Sequence, residues 1–213
     1  MPAHSNAHLL RQRLGTAPDL PVPLGVTIFL ERHDCPHTAH HSAAVAEECV
    51  HLARRWGVDP TAADTAGWLH DVSAVIPASK RVMLAEALGF HVLPEERTAP
   101  MLLHQRLSAE IARDVFNVSD PAILAAIACH TTLRAGATVL DRVVFVADKL
   151  RWDGQGDPPY LAELTAALTR SLEDAARCYL DYLWQRRETL LAVHPWFVAA
   201  YQEAHASALT PPK

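Results

Sequence analysis

The sequence has no excess of basic residues. Among its 213 residues, 19 are Lys or Arg and 24 are Asp or Glu, which gives a formal net charge of −5. Binding to the phosphate backbone of nucleic acid requires a basic face, so this charge balance argues against a nucleic-acid partner. Half of the residues are hydrophobic and a fifth are charged, which is typical of a folded protein large enough to bury a core.

Long apolar runs are missing as well. No stretch approaches the length of about 20 apolar residues that a membrane-spanning helix needs, and the N-terminus MPAHSNAHLLRQRLG lacks the apolar centre of a secretory signal. We therefore expect a cytoplasmic protein that does not contact membranes. The four cysteines form no CxxC pair, which favours free thiols over a structural zinc site.

Strand signals are scarce, whereas helix signals recur along the chain. Apolar residues repeat at spacings of three and four after residue 37, which predicts a helix over residues 38–56. Asp59 and Asp120 each precede a proline, a pairing typical of a helix N-terminus. The chain is therefore predicted to be all-α. Further helices are predicted over residues 78–88, 99–116, 138–150, 158–186 and 188–206.

Four of the thirteen histidines fall within the stretch HDCPHTAHH, residues 33–41. On the predicted helix, His41 lies four residues before Val45 and eight before Cys49, so it belongs to the buried stripe of that helix. His40 belongs to a different face. Among these four histidines, we therefore expect His41 to point into the protein.

The same test selects ionisable residues in four other predicted helices. Asp148 lies in VLDRVVFVADKL, a helix that is apolar nearly all round and must bury its carboxylate. Taken singly, each such residue is typical of a core histidine bound to a carbonyl group or of an aspartate that caps a helix. Together they indicate a bound cation, because several buried ionisable groups are costly without a compensating charge. The inward-facing set is His41, His70, Asp71, His104, His130 and Asp148.

The order of these residues, a His, an adjacent His-Asp pair and a distant Asp, resembles the pattern of the HD-domain metal-dependent phosphohydrolases. The wider chain is similar to the YqeK-type branch of that superfamily, which is known for symmetrical cleavage of diadenosine tetraphosphate to two ADP. The similarity spans residues 41–149, with a weaker extension to HPW at 194–196. The matching stretches are HHSAAVAEECVHLARRWGVD, AGWLHD, LAEALGF, LLHQRLSAEIARDVFNV, ACHTTLRAGAT and DRVVFVADK.

The resemblance implies an HD-domain helical bundle with a metal held by His41, His70, Asp71 and Asp148. Imidazole and carboxylate ligands without a thiolate favour iron, with manganese, cobalt or magnesium as alternatives and one or two ions in the site. Such a metal activates water and withdraws charge from the phosphoryl oxygens of a substrate. The implied substrate is a small nucleotide.

The resemblance also implies roles for the residues around the metal. Asp71 is expected to bridge or orient the attacking water. His104 and His130 are expected to contact substrate phosphate, to protonate the leaving group or to complete a second metal position. Arg134 is expected to clamp a phosphate, with a surface-loop arginine as the alternative. Lys149 is turned about 100° away from Asp148 on its helix and is expected to be peripheral.

Two departures from the family pattern leave alternatives open. Ala74 stands three residues after the His-Asp pair, where many HD enzymes have Lys, and the loop 149–159 lacks the usual Tyr and EP-Arg segment. The expected function is symmetrical hydrolysis of a dinucleoside polyphosphate. The alternatives are hydrolysis of a different phosphoester such as a mononucleotide, and a non-catalytic module that binds nucleotide or metal.

The expected domain organisation is a loosely ordered segment over residues 1–22 and one helical domain over residues 23–206. Within that domain, residues 38–150 form the metal-binding core and residues 158–206 form additional C-terminal helices. The aromatic residues of these last helices are expected to pack in the core, with a homodimer face or a lid over the substrate as alternatives.

Overall fold

The computed structural model describes residues 4–206 of the chain. Within this range there are twelve α-helices, three short 3-10 helices and no β-strand, so the predicted all-α class is confirmed. No helix of the described range combines the length and the apolar character needed to cross a membrane. The α-helices are α1 (His4–Leu14), α2 (Val22–Arg32), α3 (Pro36–Trp56), α4 (Pro60–Leu69), α5 (Ala78–Ala87), α6 (Pro94–Thr98), α7 (His104–Asp114), α8 (Pro121–Cys129), α9 (Val139–Leu150), α10 (Leu161–Leu168), α11 (Leu172–Gln185) and α12 (Pro195–Ala206), and the 3-10 helices are Val72–Val75, Pro100–Leu103 and Arg187–Thr189.

Local sequence signals fix several helix ends. The Asp59 carboxylate accepts a hydrogen bond from the backbone N–H of Thr61 at the start of α4, and Asp120 accepts one from Ala122 at the start of α8. A proline occupies the first turn of both helices, as the sequence predicts. Gly57 ends α3 in the left-handed conformation with φ of 72°, which a residue without a Cβ atom adopts without strain.

The core is built from α3, α4, α7, α8 and α9. Helix α3 packs along α4 and α9, and α8 contacts α4, α7 and α9. At Gly67 of α4 the two backbones are so close that a Cβ atom would lie only 2.6 Å from the Cα atom of Ala46 on α3. The missing side chain at Gly67 therefore sets the spacing of α3 and α4.

The C-terminal part differs from the prediction of two long helices. Residues 158–186 contain two helices, α10 and α11, and the second begins after Ser171, whose hydroxyl accepts a hydrogen bond from the backbone N–H of Asp174. The predicted helix over residues 188–206 begins only at Pro195. A side-chain cap competes locally with helix continuation, so the apolar periodicity alone does not reveal these breaks.

Aromatic side chains attach the C-terminal helices to the core. Tyr160 is buried and makes edge contacts with Tyr179 and Tyr182, and Tyr179 also contacts Phe145 of α9. These contacts fit the expected role in core packing. The homodimer face and the single domain over residues 23–206 stay predictions.

The N-terminal segment differs from the expectation of loose order over residues 1–22. Helix α1 packs on α7 and buries Leu10 completely, and Arg11 donates a hydrogen bond to the backbone carbonyl of Asp114 at 2.7 Å. The polar composition of the segment hides this docking, which Leu10, the partly buried Leu9 and Leu14, and the hydrogen bonds of Asn6 and Arg11 carry. Residues 1–3 lie outside the described range.

A buried carboxylate ties the C-terminal segment to α6 and α7. Glu96 accepts hydrogen bonds at 2.8 Å from Arg106 and from the backbone N–H of Leu93, and His194 lies 3.7 Å away. Burial alone would raise the pKa of Glu96, but these three partners hold it at about 2. Because this pKa lies below the ordinary value of 4.5, the carboxylate stabilises the fold above about pH 4.5 and loses that contribution as the pH falls towards 2.

We expect the substitution Glu96→Gln to flatten the pH dependence of stability. Between about pH 6 and pH 3, the wild-type protein should lose about 2 kcal/mol more of its free energy of unfolding than the variant loses. Urea titrations at the two pH values measure this difference. Glu47→Gln, at an exposed carboxylate of α3, is the matched control and should follow the wild type. Equal losses in wild type and Glu96→Gln would contradict the assignment.

Candidate metal centre

Six ionisable side chains meet at or near the ends of the core helices. The structure brings together every residue that was predicted to bind metal and every residue that was predicted to act in catalysis. Two of them directly follow helices, where the partial negative charge of a helix C-terminus favours a cation. The six are His41 on α3, His70 and Asp71 after α4, His104 at the start of α7, His130 after α8 and Asp148 near the end of α9.

One half of the cluster is formed by His41, His70 and Asp148. Nε2 of His41 lies 3.2 Å from Oδ1 of Asp148 and 3.3 Å from Nε2 of His70. Nε2 of His70 is 3.6 Å from the same Asp148 oxygen and 3.6 Å from Oδ2 of Asp71. Nitrogen and oxygen atoms from three helices therefore converge on a space of the size of one small ion.

Asp71 links this half to His104 and His130. Its Oδ1 lies 3.2 Å from Nε2 of His104 and 3.4 Å from Nε2 of His130. In each of two triplets, His41–His70–Asp71 and Asp71–His104–His130, the ligand atoms all lie within 4.8 Å of one another. The triplets share Asp71, an arrangement that suits either one ion or two.

The backbone fixes the tautomers of three of these histidines. Nδ1 of each ring faces the carbonyl oxygen of the residue three positions earlier, at 2.7 Å for His70 and 2.8 Å for His130, and His104 makes the same contact. A carbonyl oxygen only accepts hydrogen bonds, so Nδ1 carries the proton in each ring. In the neutral form of each ring, Nε2 therefore presents a lone pair to the centre of the cluster.

Lone pairs consequently face lone pairs across the cluster. The Nε2 atoms of His104 and His130 are 2.9 Å apart, and the buried Oδ1 atom of Asp71 has no hydrogen-bond donor. This arrangement is repulsive unless positive charge lies between the atoms. Burial lowers the pKa of His70, but Asp71 and Asp148 raise it to about 9, so these two carboxylates favour a positive charge at this position, which a proton supplies in the absence of a metal. The donor set fits a divalent metal ion.

The predicted peripheral position of Lys149 is wrong. Its ammonium group is buried, donates to Oδ2 of Asp148 and to the backbone carbonyl of His130 at 3.1 Å, and lies 5.2 Å from the ring centroid of Phe145. The flexible four-carbon stem spans the 100° that separates neighbouring residues on a helix, and the helical-wheel argument ignores this reach. Lys149 therefore orients the Asp148 carboxylate and offsets its charge.

We expect Lys149→Met to destabilise the metal-free protein by about 2 kcal/mol, because the mostly buried Asp148 carboxylate loses a charged hydrogen bond. A divalent metal neutralises the same carboxylate. Added Mn²⁺ should therefore raise the Tm of the variant by more than it raises the Tm of the wild type. Thermal melts with and without Mn²⁺ measure both effects, and Lys80→Met removes an exposed lysine as the control. Equal metal-induced shifts in the variant and the wild type would contradict this role.

Arg134 does not join the cluster. Its guanidinium donates two hydrogen bonds, at 2.8 and 3.1 Å, to the carboxylate of Asp141, which is completely buried in the first turn of α9. Arg134 lines a separate cavity of about 270 Å³ that α11 and α12 also border. The expected phosphate clamp is therefore corrected: this arginine compensates a buried carboxylate, a role that the sequence position after HTT does not reveal.

The loop after α9 brings a further carboxylate to the cluster that the sequence did not single out. Oδ2 of Asp153 lies 3.9 Å from Nδ1 of His41, a buried nitrogen that has no hydrogen-bond partner. Metal-binding histidines commonly use their second ring nitrogen to contact a carboxylate, which orients the ring. The departure of this loop from the family pattern is the sequence signal that could have directed attention to it.

Comparisons with known proteins agree with this arrangement. The sequence profile of the HD domain matches residues 38–153, a range that contains all six residues of the cluster. A protein of Lactococcus lactis subsp. cremoris, described as an uncharacterized protein in the pepC 5' region, is 40% identical over 146 residues, which are 68% of this chain and 74% of that protein. The symmetrical bis(5'-nucleosyl)-tetraphosphatase of Bacillus subtilis (strain 168) is 31% identical over 146 residues, which are 65% of this chain and 77% of that enzyme.

A solved structure shares the whole fold. It is the crystal structure of a predicted HD superfamily hydrolase involved in NAD metabolism from Clostridium acetobutylicum, with a TM-score of 0.73 and 21% sequence identity. The match covers 97% of this chain and 98% of that chain. The likeness therefore extends beyond the range of the sequence profile to the C-terminal helices.

Proposed function

Because this chain belongs to the HD-domain family of hydrolases, we propose that it is a metal-dependent phosphohydrolase that cleaves a dinucleoside polyphosphate symmetrically, such as diadenosine tetraphosphate to two ADP. Membership of the family follows from the HD-domain match over more than half of the chain, and it confirms the resemblance drawn from the sequence. The substrate is suggested by the relatives of this chain that are named symmetrical bis(5'-nucleosyl)-tetraphosphatase.

The observation that carries the proposal is the pair of ligand triplets joined at Asp71. His41, His70, Asp71 and Asp148 would hold the first metal ion, and His104 with His130 would contact phosphate or complete a second position. The donor set of imidazoles and carboxylates favours iron, with manganese, cobalt and magnesium as alternatives. When bound, a divalent ion supplies Lewis acidity towards water and phosphoryl oxygens.

The remaining chemistry falls to the side chains themselves. Asp71 is central, since it lies within 3.6 Å of His70, His104 and His130, and we assign it the orientation of the attacking water. His104 is more exposed to the cavity than His130 and contacts the hydroxyl of Thr131 at 3.0 Å. We therefore assign contact with substrate phosphate to His104 in preference to His130. We assign protonation of the leaving group to His104 as well.

The test is a substrate panel on metal-analysed protein. Elemental analysis identifies the metal that co-purifies, and protein loaded with Fe or Mn is then incubated with dinucleoside polyphosphates, mononucleotides and simple phosphoesters. Release of two ADP from diadenosine tetraphosphate supports the proposal, whereas release of ATP and AMP contradicts the symmetrical cleavage. Turnover of mononucleotides alone would favour the alternative that the enzyme hydrolyses a different phosphoester.

The remaining alternative is that the protein binds nucleotide or metal but does not catalyse hydrolysis. It is favoured by Ala74, because many HD enzymes have a lysine at this position. Binding of nucleotide without product at full metal occupancy would support it. Cytoplasmic location and a homodimer stay predictions, and gel filtration of the same preparation measures the oligomeric state.

A further inference from the structure

The cavity above the metal cluster is too small for a whole nucleotide. It has a volume of about 230 Å³, whereas sites that enclose small molecules measure about 300–1,000 Å³. A nucleotide whose phosphate groups lie next to the histidines therefore extends beyond this cavity, and its base would come within reach of the residues at the rim. The residues at the rim are therefore candidates for contact with a base. The lining is formed by His41, Asp71, Met101, His104, His130, Thr131, Asp148, Lys149, Trp152, Asp153, Tyr160 and Tyr179.

Trp152 is the exposed aromatic residue of this rim. Its side chain is 50% exposed, whereas Tyr160 is 5% exposed and packs in the core. The indole of Trp152 is paired with no other aromatic ring among the described residues 4–206. A large apolar face is therefore open to solvent beside a cavity that is lined by charged and imidazole groups.

The position of Trp152 relative to the metal cluster is fixed by its two neighbours in the chain. Arg151 pairs with Glu48 of α3 at 2.8 Å, and Asp153 approaches Nδ1 of His41 at 3.9 Å. Both anchors lie on α3, the helix that carries the metal-binding His41. The loop therefore holds the indole at a set distance from the site where phosphates would bind.

Gly154 supports the indole from behind. A Cβ atom at this position would lie 2.3 Å from Cζ2 and 2.5 Å from Cε2 of Trp152, so the ring rests directly on the glycine backbone. Van der Waals contact between carbon atoms needs about 3.5–4.0 Å. Only a residue without a side chain lets the indole occupy this place.

From these observations we infer that Trp152 is the surface on which a nucleobase of the substrate stacks while its phosphates occupy the metal cavity. The inference rests on the proposed function, because it presumes a nucleotide substrate, and it adds the residue that distinguishes nucleotides from base-free phosphates. Stacking on an indole is available to every base through its π-face. Trp152 therefore selects for the presence of a base and contributes little to the choice between bases.

The decisive measurement compares ADP with pyrophosphate, which carries the same two phosphates without a base. Both ligands are titrated into Mn²⁺-loaded wild-type protein, Trp152→Ala and Trp152→Phe. Trp152→Ala should weaken ADP binding by about 5- to 150-fold, the range that base–aromatic stacking gives, while the Kd for pyrophosphate stays within about twofold. Trp152→Phe should retain most of the affinity for ADP, because phenylalanine keeps a stacking face.

Gly154→Ala tests the same surface without changing the tryptophan. The added methyl group displaces the indole, so ADP binding should weaken in the same direction as in Trp152→Ala. Adding Gly154→Ala to Trp152→Ala should have no further effect, because the displaced group is then absent. Leu24→Ala removes another side chain that is 50% exposed, on α2, and is the matched control that should bind ADP like the wild type.

Tryptophan fluorescence provides a second measurement of ligand binding in the same titrations. ADP should quench the emission of the wild-type protein, pyrophosphate should not, and Trp152→Phe should lose the ADP-dependent part of the change. Equal weakening of ADP and pyrophosphate by Trp152→Ala, or no weakening of either, would overturn the inference. If the wild type hydrolyses no dinucleoside polyphosphate, the proposed function fails, and the ADP and pyrophosphate titrations still decide the role of Trp152.

Discussion

Replacement of His70 by alanine is expected to remove both the bound metal and the hydrolytic activity. His70 is completely buried, its Nδ1 is held by the carbonyl of Gly67, and its Nε2 lies within 3.6 Å of His41, Asp71 and Asp148. Loss of a residue that merely orients a ligand costs about 10- to 100-fold in metal affinity or activity, so loss of the ligand itself should exceed 100-fold. Metal content by elemental analysis and kcat/KM on the best substrate of the panel measure the two losses.

The variant His40→Ala is the matched control for this experiment. His40 is exposed and adjacent to His41 on α3. Its replacement therefore removes an imidazole from the same helix without altering the cluster. His70→Asn is a useful companion because its amide can still donate to the carbonyl of Gly67, which separates loss of the metal from loss of the fold. Normal metal content and turnover in a folded His70→Ala protein would refute the assignment of the metal centre.

The largest loss of stability is expected from Gly67→Ala. The added Cβ atom would lie 2.6 Å from Cα and 3.0 Å from the nitrogen of Ala46, so it meets backbone that cannot rotate away. Overpacking of a core costs about 1–3 kcal/mol, and a clash with backbone belongs at or above the upper end of this range. We expect the Tm to fall by about 5–10 °C. Metal affinity should fall as well, since separation of α3 from α4 moves His41 away from His70.

Gly25→Ala on α2 is the control for Gly67→Ala. A Cβ atom at Gly25 would have its nearest neighbours at 3.7 Å, an ordinary contact, so the higher helix propensity of alanine should leave the protein unchanged or slightly more stable. Ala46→Gly should not rescue Gly67→Ala, because the two closest atoms, Cα and the nitrogen of residue 46, belong to the backbone. Equal Tm values for Gly67→Ala and the wild type would show that the two helices are free to move apart.

The sequence was sufficient for the part of the site that depends on helix faces. His41 follows the apolar stripe of α3, and Asp148 lies in a helix whose other residues are mostly apolar, so the inward orientation of both could be inferred from periodicity. The order of His41, the His70–Asp71 pair and Asp148 then indicated the family. These inferences need only the 3.6-residue repeat and a known pattern.

The sequence was insufficient where side-chain reach or tertiary pairing decides the outcome. Lys149 reaches Asp148 because its long side chain bends towards it. Arg134 instead pairs with the carboxylate of Asp141, seven residues later in the chain. The position of Trp152 depends on its contact with Gly154 and on the ion pair of Arg151 with Glu48. Neither contact can be predicted from the spacing of apolar residues. The break between α10 and α11 depends on one serine hydroxyl, and such a cap is stronger than the apolar pattern around it.

The backbone contacts of His70, His104 and His130 affect which mutations the enzyme tolerates during evolution. The carbonyl that receives each Nδ1 proton belongs to the main chain, so exchange of the side chain at residue 101 or 127 leaves the acceptor in place, whereas residue 67 has to stay glycine because of its close contact with Ala46. Ring orientation at His104 and His130 is thereby insensitive to genetic drift in the neighbouring side chains. His41 differs, since its Nδ1 has no hydrogen-bond partner and lies 3.9 Å from Oδ2 of the Asp153 side chain. Natural variation that tunes this enzyme should therefore accumulate in the loop after α9.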